Sequence, residues 1–479
     1  NSMGNNDIYL ESNGKKMERP VQNPILTELE AKECSDARRN EILAELKSKK
    51  EETWRAHEDY ASALAFCLNR ESDWEHRLTQ LKELRKLAKD TDATPKTILL
   101  YVQCVYHRLN AETEMEQKQS CCETLYVFCK SAPPIEKIHE ICTRGILNTL
   151  RQCNHPILSR RYRDQLWSLL LKGKMSQKIV SDCISGLEKY TTQEKEHAFQ
   201  LKMVSKFGKL CELYPENAIA LKTYAKILQL LIFNIPEKKR KNVLLERLKD
   251  LANDLMERRI LLHKALENGE TEKNDTTLAL LQAMEEVQHE YAIGIIGLIC
   301  AERTVKGRLE HLGMLEMLAK RPDPFFQEAY TQGMVELLKH EKKPEFCIGW
   351  LEQLKKRVDA PTATEETIIQ YVVGLYYTLK LVKDVTLADE LMAQITYWHE
   401  RVPSLDVATL HSCALLIIMR RETDSARKHE MAHTLVNWKT DCILARFGDM
   451  YHQLLCDYLE EEEDFDIKEI ILPKAHLFF

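Results

Sequence analysis

The residues best placed to do chemistry are His429, Glu430 and His433, in the run His429-Glu430-Met431-Ala432-His433. On a helix this spacing sets two imidazoles one turn apart on one face as zinc ligands, with the carboxylate as general base on a bound water. The longer form of the pattern continues with a glycine and a third histidine, and Val436 and Lys439 stand at those places. Arg427 and Lys428 bring positive charge up against the motif. No strand is expected to align a peptide substrate, and a distant carboxylate such as Glu460 would have to complete the site. The three residues therefore read first as a solvated helix face, with a zinc hydrolase as the remote alternative.

Cysteine and histidine are densest between Cys104 and His155, where Cys104 and His107, Cys121 and Cys122, Cys129, His139 and Cys142, and Cys153 and His155 follow one another. Helical pairs three apart can share a metal. Repeated C-x-x-C knuckles are missing, however, and Cys104, Cys129 and Cys142 suit core faces, so no metal is assigned. Neither a glycine-rich phosphate loop nor the tight turn that exposes a nucleophilic serine occurs. That excludes a conventional nucleotide-dependent enzyme; no catalytic residue and no cofactor are expected.

Basic residues cluster at Lys47-Ser48-Lys49-Lys50, at Arg160-Arg161-Tyr162-Arg163 and most densely at Lys238-Lys239-Arg240-Lys241. The last run opens a helix, where positive charge opposes the macrodipole. An acidic ligand would relieve that cost, so Lys238, Lys239, Arg240 and Lys241 are the expected partner-binding residues. The alternatives are a phosphate contact or a nuclear-import element. The acidic run Glu460-Glu461-Glu462-Glu463-Asp464 reads as a solubilising end or as a contact for a basic partner.

The elements that carry these residues are almost all of one kind, amphipathic helices of about four to five turns repeated about seventeen times. In the stretch from Thr94 to Leu109, Thr94 is a cap, Pro95 suits the first helical position, and Ile98, Tyr101, Val102, Val105 and Leu109 share a face. A long helix is expected from a Ser35 or Asp36 cap to about Asn69, and another over about 237–268 with Gly269 after its end. The stretch Tyr291–Ala301 is apolar throughout but too short for a bilayer, which needs about 20 residues; it reads as a buried central helix. Such helices, with no strand between them, must bury their stripes on one another.

The junction Leu213-Tyr214-Pro215-Glu216-Asn217-Ala218, followed by Ile219, Ala220, Leu221, Tyr224, Ala225 and Leu228, resembles the hinge between successive tetratricopeptide (TPR) units. The likeness covers about one 34-residue unit. It implies a degenerate TPR-like or HEAT-like helical repeat, and no clamp residue of that family carries over to a position here.

The expected fold is therefore all-α, a superhelical array of antiparallel helix pairs. It divides into an N-terminal arm (1–22), a first array (23–269), a second array (270–459) and an acidic and apolar tail (460–479). The net charge is only -6 with 30% charged residues, so no global bias toward nucleic acid exists. Fifteen scattered cysteines suit reduced core thiols. With no secretory segment at the start, the cytoplasm or nucleus is expected. The function expected is a non-enzymatic scaffold or adaptor, a subunit of a protein complex. A nucleic-acid-binding helical repeat is the alternative, and no membrane partner is expected.

Overall fold

The computed structural model describes residues 22–438 and 445–475. The expected N-terminal arm, apart from Gln22, the end of the expected tail after Ala475, and Lys439 lie outside the described residues. Among the described residues the chain forms 22 α-helices and no strand. None of these helices is long and apolar enough to cross a membrane.

Two compact units result. The first runs to Ile227 and takes in Asp275–Ala283; the second comprises Leu228–Asn274 and the chain from Met284 onward. The first contains α1 (Pro24–Glu30), α2 (Asp36–Lys49), α3 (Trp54–Arg70), α4 (Trp74–Lys89), α5 (Pro95–Ala111), α6 (Met115–Ser131), α7 (Glu136–Gln152), α8 (Pro156–Leu170), α9 (Gln177–Gln193) and α10 (His197–Leu213). Next come α11 (Ala218–Asn234), α12 (Lys238–Glu267) and α13 (Asp275–Ala301). The second unit continues with α14 (Val305–Leu318), α15 (Pro324–His340), α16 (Pro344–Val358), α17 (Glu365–Leu381), α18 (Val385–Arg401), α19 (Leu405–Arg421), α20 (Ser425–Asn437), α21 (Gly448–Glu461) and α22 (Phe465–Ala475).

The turns are too short for anything but antiparallel neighbours. In the first unit α3 packs on α2, α4 and α5, α5 on α6 and α7, and α7 on α8 and α9. The second unit repeats the plan, with α15, α17, α19 and α21 in a continuous inner row and the even-numbered helices outside it. Helices of the inner row are enclosed on most sides. That is why α17 buries Tyr371, Val372, Val373, Leu375, Tyr376 and Leu379 together, each such side chain contributing roughly 1.5–3 kcal/mol. The arrangement is an all-α array of antiparallel helix pairs of the solenoid kind. The expected buried helix at Tyr291–Ala301 lies in α13, where Ala292, Ile295, Ile296 and Ile299 are enclosed.

One expectation is corrected. The long helix from Ser35 to Asn69 is two helices, because Lys50 ends α2 and Thr53 starts α3 by accepting from the Ala56 amide at 3.1 Å. The intervening Lys-Glu-Glu is polar and offers no apolar stripe to hold a helix onto the core.

Parts of the two units also run in parallel. α3, α5 and α6 match α15, α17 and α18 in length at one constant offset along the chain. At that same offset Glu58 meets Glu328, Tyr60 meets Tyr330, Thr94 meets Thr364, Thr97 meets Thr367, Tyr101 meets Tyr371, and Tyr106 meets Tyr376. The shared residues perform shared tasks. Thr94 Oγ1 donates to Glu58 Oε2 at 2.6 Å while accepting from the Thr97 amide, and Thr364 Oγ1 donates to Glu328 Oε1 at 2.6 Å while accepting from the Thr367 amide. Each threonine thus caps its own helix and ties it to the preceding inner-row helix.

Candidate functional site

His429, Glu430 and His433 do not converge. His429 Nδ1 donates to the Ser425 carbonyl at 2.7 Å, and its Nε2 lies 3.9 Å from Asp464 Oδ2. Asp464 and Asp466, just before and within the first turn of α22, complete a cluster with His429, whereas Glu430 and His433 are exposed and outside it. The carboxylate facing the histidine is therefore Asp464 and not Glu460. A second cluster of metal-ligand type joins Glu285 and His289 of α13 to Asp323, whose Oδ2 is 2.7 Å from His289 Nε2. The sequence pattern missed it, because Asp323 reads as the N-cap of α15, a task it also performs on the Phe325 amide.

The stretch from Cys104 to His155 is split: Cys104, Cys121, Cys122, Cys129, His139 and Cys142 are buried, whereas His107 and His155 are exposed. Burial pushes the Cys104 and Cys122 thiols up to about 12, and burial followed by contact with Cys129 raises Cys142. Thiols so protonated are poor nucleophiles and poor ligands. His155 caps α8 by accepting from the Leu158 amide at 3.4 Å, and Cys153 Sγ donates to the His155 carbonyl.

The basic run is split. Lys238 Nζ pairs with Glu302 Oε2 at 2.6 Å, and Arg240 Nε pairs with Glu237 Oε2 at 3.1 Å. Lys241 is buried, and desolvation lowers its ammonium below the ordinary lysine value. Lys239 is exposed, with no ion pair among the described residues. Glu302, 5% exposed, also accepts from the Arg303 and Thr304 amides and from Thr304 Oγ1. Its carboxyl is held down to about 2, chiefly by the Lys238 hydrogen bond.

A recurrent device emerges from the helix ends, whose last carbonyls lack helical partners. A donor from a later helix covers them. Arg39 of α2 donates to the Leu29 and Ala31 carbonyls at the end of α1, at 3.0 and 2.8 Å. Arg308, at the equivalent place in α14, donates to the Glu302 and Arg303 carbonyls just after α13, at 2.8 and 3.4 Å. Lys172 covers Lys130, Tyr190 covers Leu150 and Tyr214 covers Leu170. Arg421, the last residue of α19, spans three carbonyls at the end of α17: Leu379 at 3.1 Å, Lys380 at 2.9 Å and Val382 at 2.7 Å. Arginines on a charged helix surface look solvated in the sequence, so this role had no signal there.

At the matching place in the first unit, the ends of α5 and α7, a cleft of about 440 Å³ opens. Thr113, Met115, Gln152, Cys153, His155 and Tyr162 are among its walls. Its volume falls in the range of small-ligand sites, roughly 300–1,000 Å³. No family model matches this chain, and no curated protein sequence matches it.

Proposed function

We propose that the chain is a non-enzymatic intracellular scaffold or adaptor, a degenerate TPR-like or HEAT-like array that joins a complex by binding protein partners on its outer helices. The observation that carries this reading is a difference between the two units. Val305, Leu309 and Met317 stand on one outward stripe of α14, at 59%, 46% and 69% exposure. Their counterparts in α2, a helix of the same length, are Asp36, Asn40 and Ser48, all exposed and polar. One unit keeps an ordinary wet surface where the other presents an apolar stripe, and such stripes mark partner sites. Beside this stripe α14 buries Leu312, Leu315 and Leu318, so its apolar surface continues from the core onto the exposed side. Of the basic run, Lys239 and Arg240 are the residues best placed to add charge to a partner contact.

The test is capture of partners from cells on the full chain and on the variant Val305→Ser/Leu309→Ser/Met317→Ser. Loss of most captured protein with unchanged helical circular dichroism is expected. Equal capture by both, or capture by neither, defeats the reading.

A further inference from the structure

We infer that the groove between α8 and α10 is the docking site for an acidic amphipathic helix of a partner protein. The inference rests on the adaptor reading above and names the chemistry of one contact.

The basic run Arg160-Arg161-Tyr162-Arg163 is only partly used by the fold. Tyr162 is buried, and Arg161 reaches back to Glu123 of α6 at 3.4 Å. Arg163 donates to the Ser159 carbonyl at 3.3 Å, with its guanidinium 4.9 Å from the centroid of the Tyr190 ring. Arg160 is left over. It is exposed, and its guanidinium lies 4.1 Å from the centroid of the Phe199 ring in the first turn of α10. Among the described residues it has no carboxylate within ion-pair distance. Contact with the ring holds the guanidinium in place without spending its N–H donors, and a fork fixed in that way suits a carboxylate.

Beside Arg160 opens a groove of about 510 Å³. Trp167, Leu171 and Met203 give it apolar walls, and its cations are Arg160, Lys202 and Lys206. Asp164 is the one carboxylate among the lining residues, and Lys206 Nζ already stands 3.7 Å from it. Arg160 and the exposed Lys202 thus remain as two cations without a carboxylate partner among the described residues, on the walls of an apolar hollow.

The groove one step earlier in the array differs in charge. Between α6 and α8 the walls set Arg85 and Arg161 against Glu116 and Glu123, and Glu123 also accepts from Gln165 at 2.8 Å. Charge there is balanced within the fold. Between α8 and α10 the excess is positive and surrounds an apolar floor. An amphipathic helix supplies both missing parts, apolar side chains one turn apart for the floor and flanking carboxylates for Arg160 and Lys202. A single-stranded nucleic acid fits less well, because its bases need open aromatic faces. Trp167 is 2% exposed, and Phe199 already carries the Arg160 guanidinium.

The test uses the full chain with its methionine methyls labelled, titrated with acetyl-Glu-Glu-Leu-Glu-Glu-Leu-Phe-Glu-Glu-Leu-Glu-Glu-amide. Three further probes are the same peptide with Lys for every Glu, the same peptide with Ser for every Leu and Phe, and a uridine dodecamer RNA. The Met203 methyl should shift saturably with the acidic peptide, with Kd on the order of 0.1 mM in low salt, and at least several-fold more weakly with the other three. Raising the salt to about 0.5 M should weaken the acidic peptide further. Arg160→Glu/Lys202→Glu should abolish the shift with helical circular dichroism unchanged. Arg160→Gln/Lys202→Gln, which removes the charge without adding repulsion, should weaken binding by roughly tenfold and decides the matter if the glutamate pair folds poorly. Lys239→Glu, which reverses an exposed cation outside the groove, should leave Kd as it is. Equal binding of the serine peptide, tighter binding of the RNA, or equal weakening by Lys239→Glu overturns the proposal. A dimer of the full chain that dissociates in the glutamine pair assigns the groove to a second copy and also overturns it. If partners are captured equally by wild type and the glutamine pair, the groove is not their site while the adaptor reading stands. A saturable shift with the acidic peptide but no captured partner keeps the groove chemistry and removes the adaptor reading.

Discussion

Lys238 Nζ stands 2.6 Å from Glu302 Oε2, so a cation at the first position of α12, where the macrodipole disfavours it, is held by a carboxylate just past the end of α13. The penalty that singled out this lysine in the sequence is thus offset within the fold. Lys238→Glu would set two carboxylates against each other and is expected to cost about 2 kcal/mol, whereas Lys239→Glu should stay within about 0.5 kcal/mol. The sign of the acid response follows from Glu302, whose folded carboxyl lies near 2 against an ordinary 4.5. Its contribution is complete above pH 4.5 and disappears as pH falls toward 2. Urea melts of wild type and Lys238→Gln should therefore differ at neutral pH and converge in acid. Equal losses from Lys238→Glu and Lys239→Glu would contradict the pairing.

The matching threonines make a paired experiment possible. Thr94→Val and Thr364→Val each remove a cap and a 2.6 Å bond to a glutamate on the preceding inner-row helix. Each should cost about 1–2 kcal/mol, with Ser at either position recovering most of it. Glu58→Gln combined with Thr94→Val should be non-additive, because both act on one bond. Strict additivity would separate the two residues.

The same examples explain what the sequence made legible. Thr94 and Pro95 announce a helix start by local chemistry, so α5 and its all-α setting were readable from a short window. The break at Lys50–Thr53 was not, since charged residues on either side keep helical spacing and Thr53 resembles many surface threonines. The parallel rests on residues such as Glu58 and Glu328 that are far apart in the chain and alike mainly in what they bond. Arg421 looked like solvated charge and Lys238 like a cation awaiting a partner, because their acceptors, backbone carbonyls and a distant Glu302, carry no local pattern. His429 and His433 had the spacing of ligands, but the elements that would supply the rest of a site lie elsewhere.

His411 offers a pH dependence with a defined origin. Thr396 Oγ1 donates to the Met392 carbonyl, so it accepts from His411 Nε2 at 3.1 Å. His411 Nδ1 is then the acceptor for His399 Nδ1 at 2.6 Å, and both rings are neutral. Trp438 lies over His411 with centroids 4.3 Å apart. Burial, and then His399, push His411 from 6.5 down to about 3. A base depressed in the folded state stabilises the fold fully above pH 6.5 and loses that contribution progressively as pH falls toward 3. Between pH 6.5 and about 4.5 the loss should reach ~2 kcal/mol. His411→Leu should be less stable at pH 7 yet show a smaller fall over that interval. A parallel pair of stability curves would assign the acid response to other groups.

His429 and His433 differ in their surroundings, and that difference separates a surface helix from a metal site. His429 donates to the Ser425 carbonyl and faces Asp464, so His429→Ala should cost about 0.5–1 kcal/mol. His433 is exposed and stands outside the carboxylate cluster, so His433→Ala should change stability by less than about 0.5 kcal/mol. A zinc ion held by the pair would couple them: either substitution would release metal, and both would destabilise alike because binding energy is folding energy at such sites. Elemental analysis of purified wild type and His433→Ala, alongside thermal melts in chelator, checks this. The expected outcome is the same zinc content in both proteins and melting temperatures that chelator leaves in place. Stoichiometric zinc in the wild type that disappears in His433→Ala would restore the hydrolase alternative for His429, Glu430 and His433.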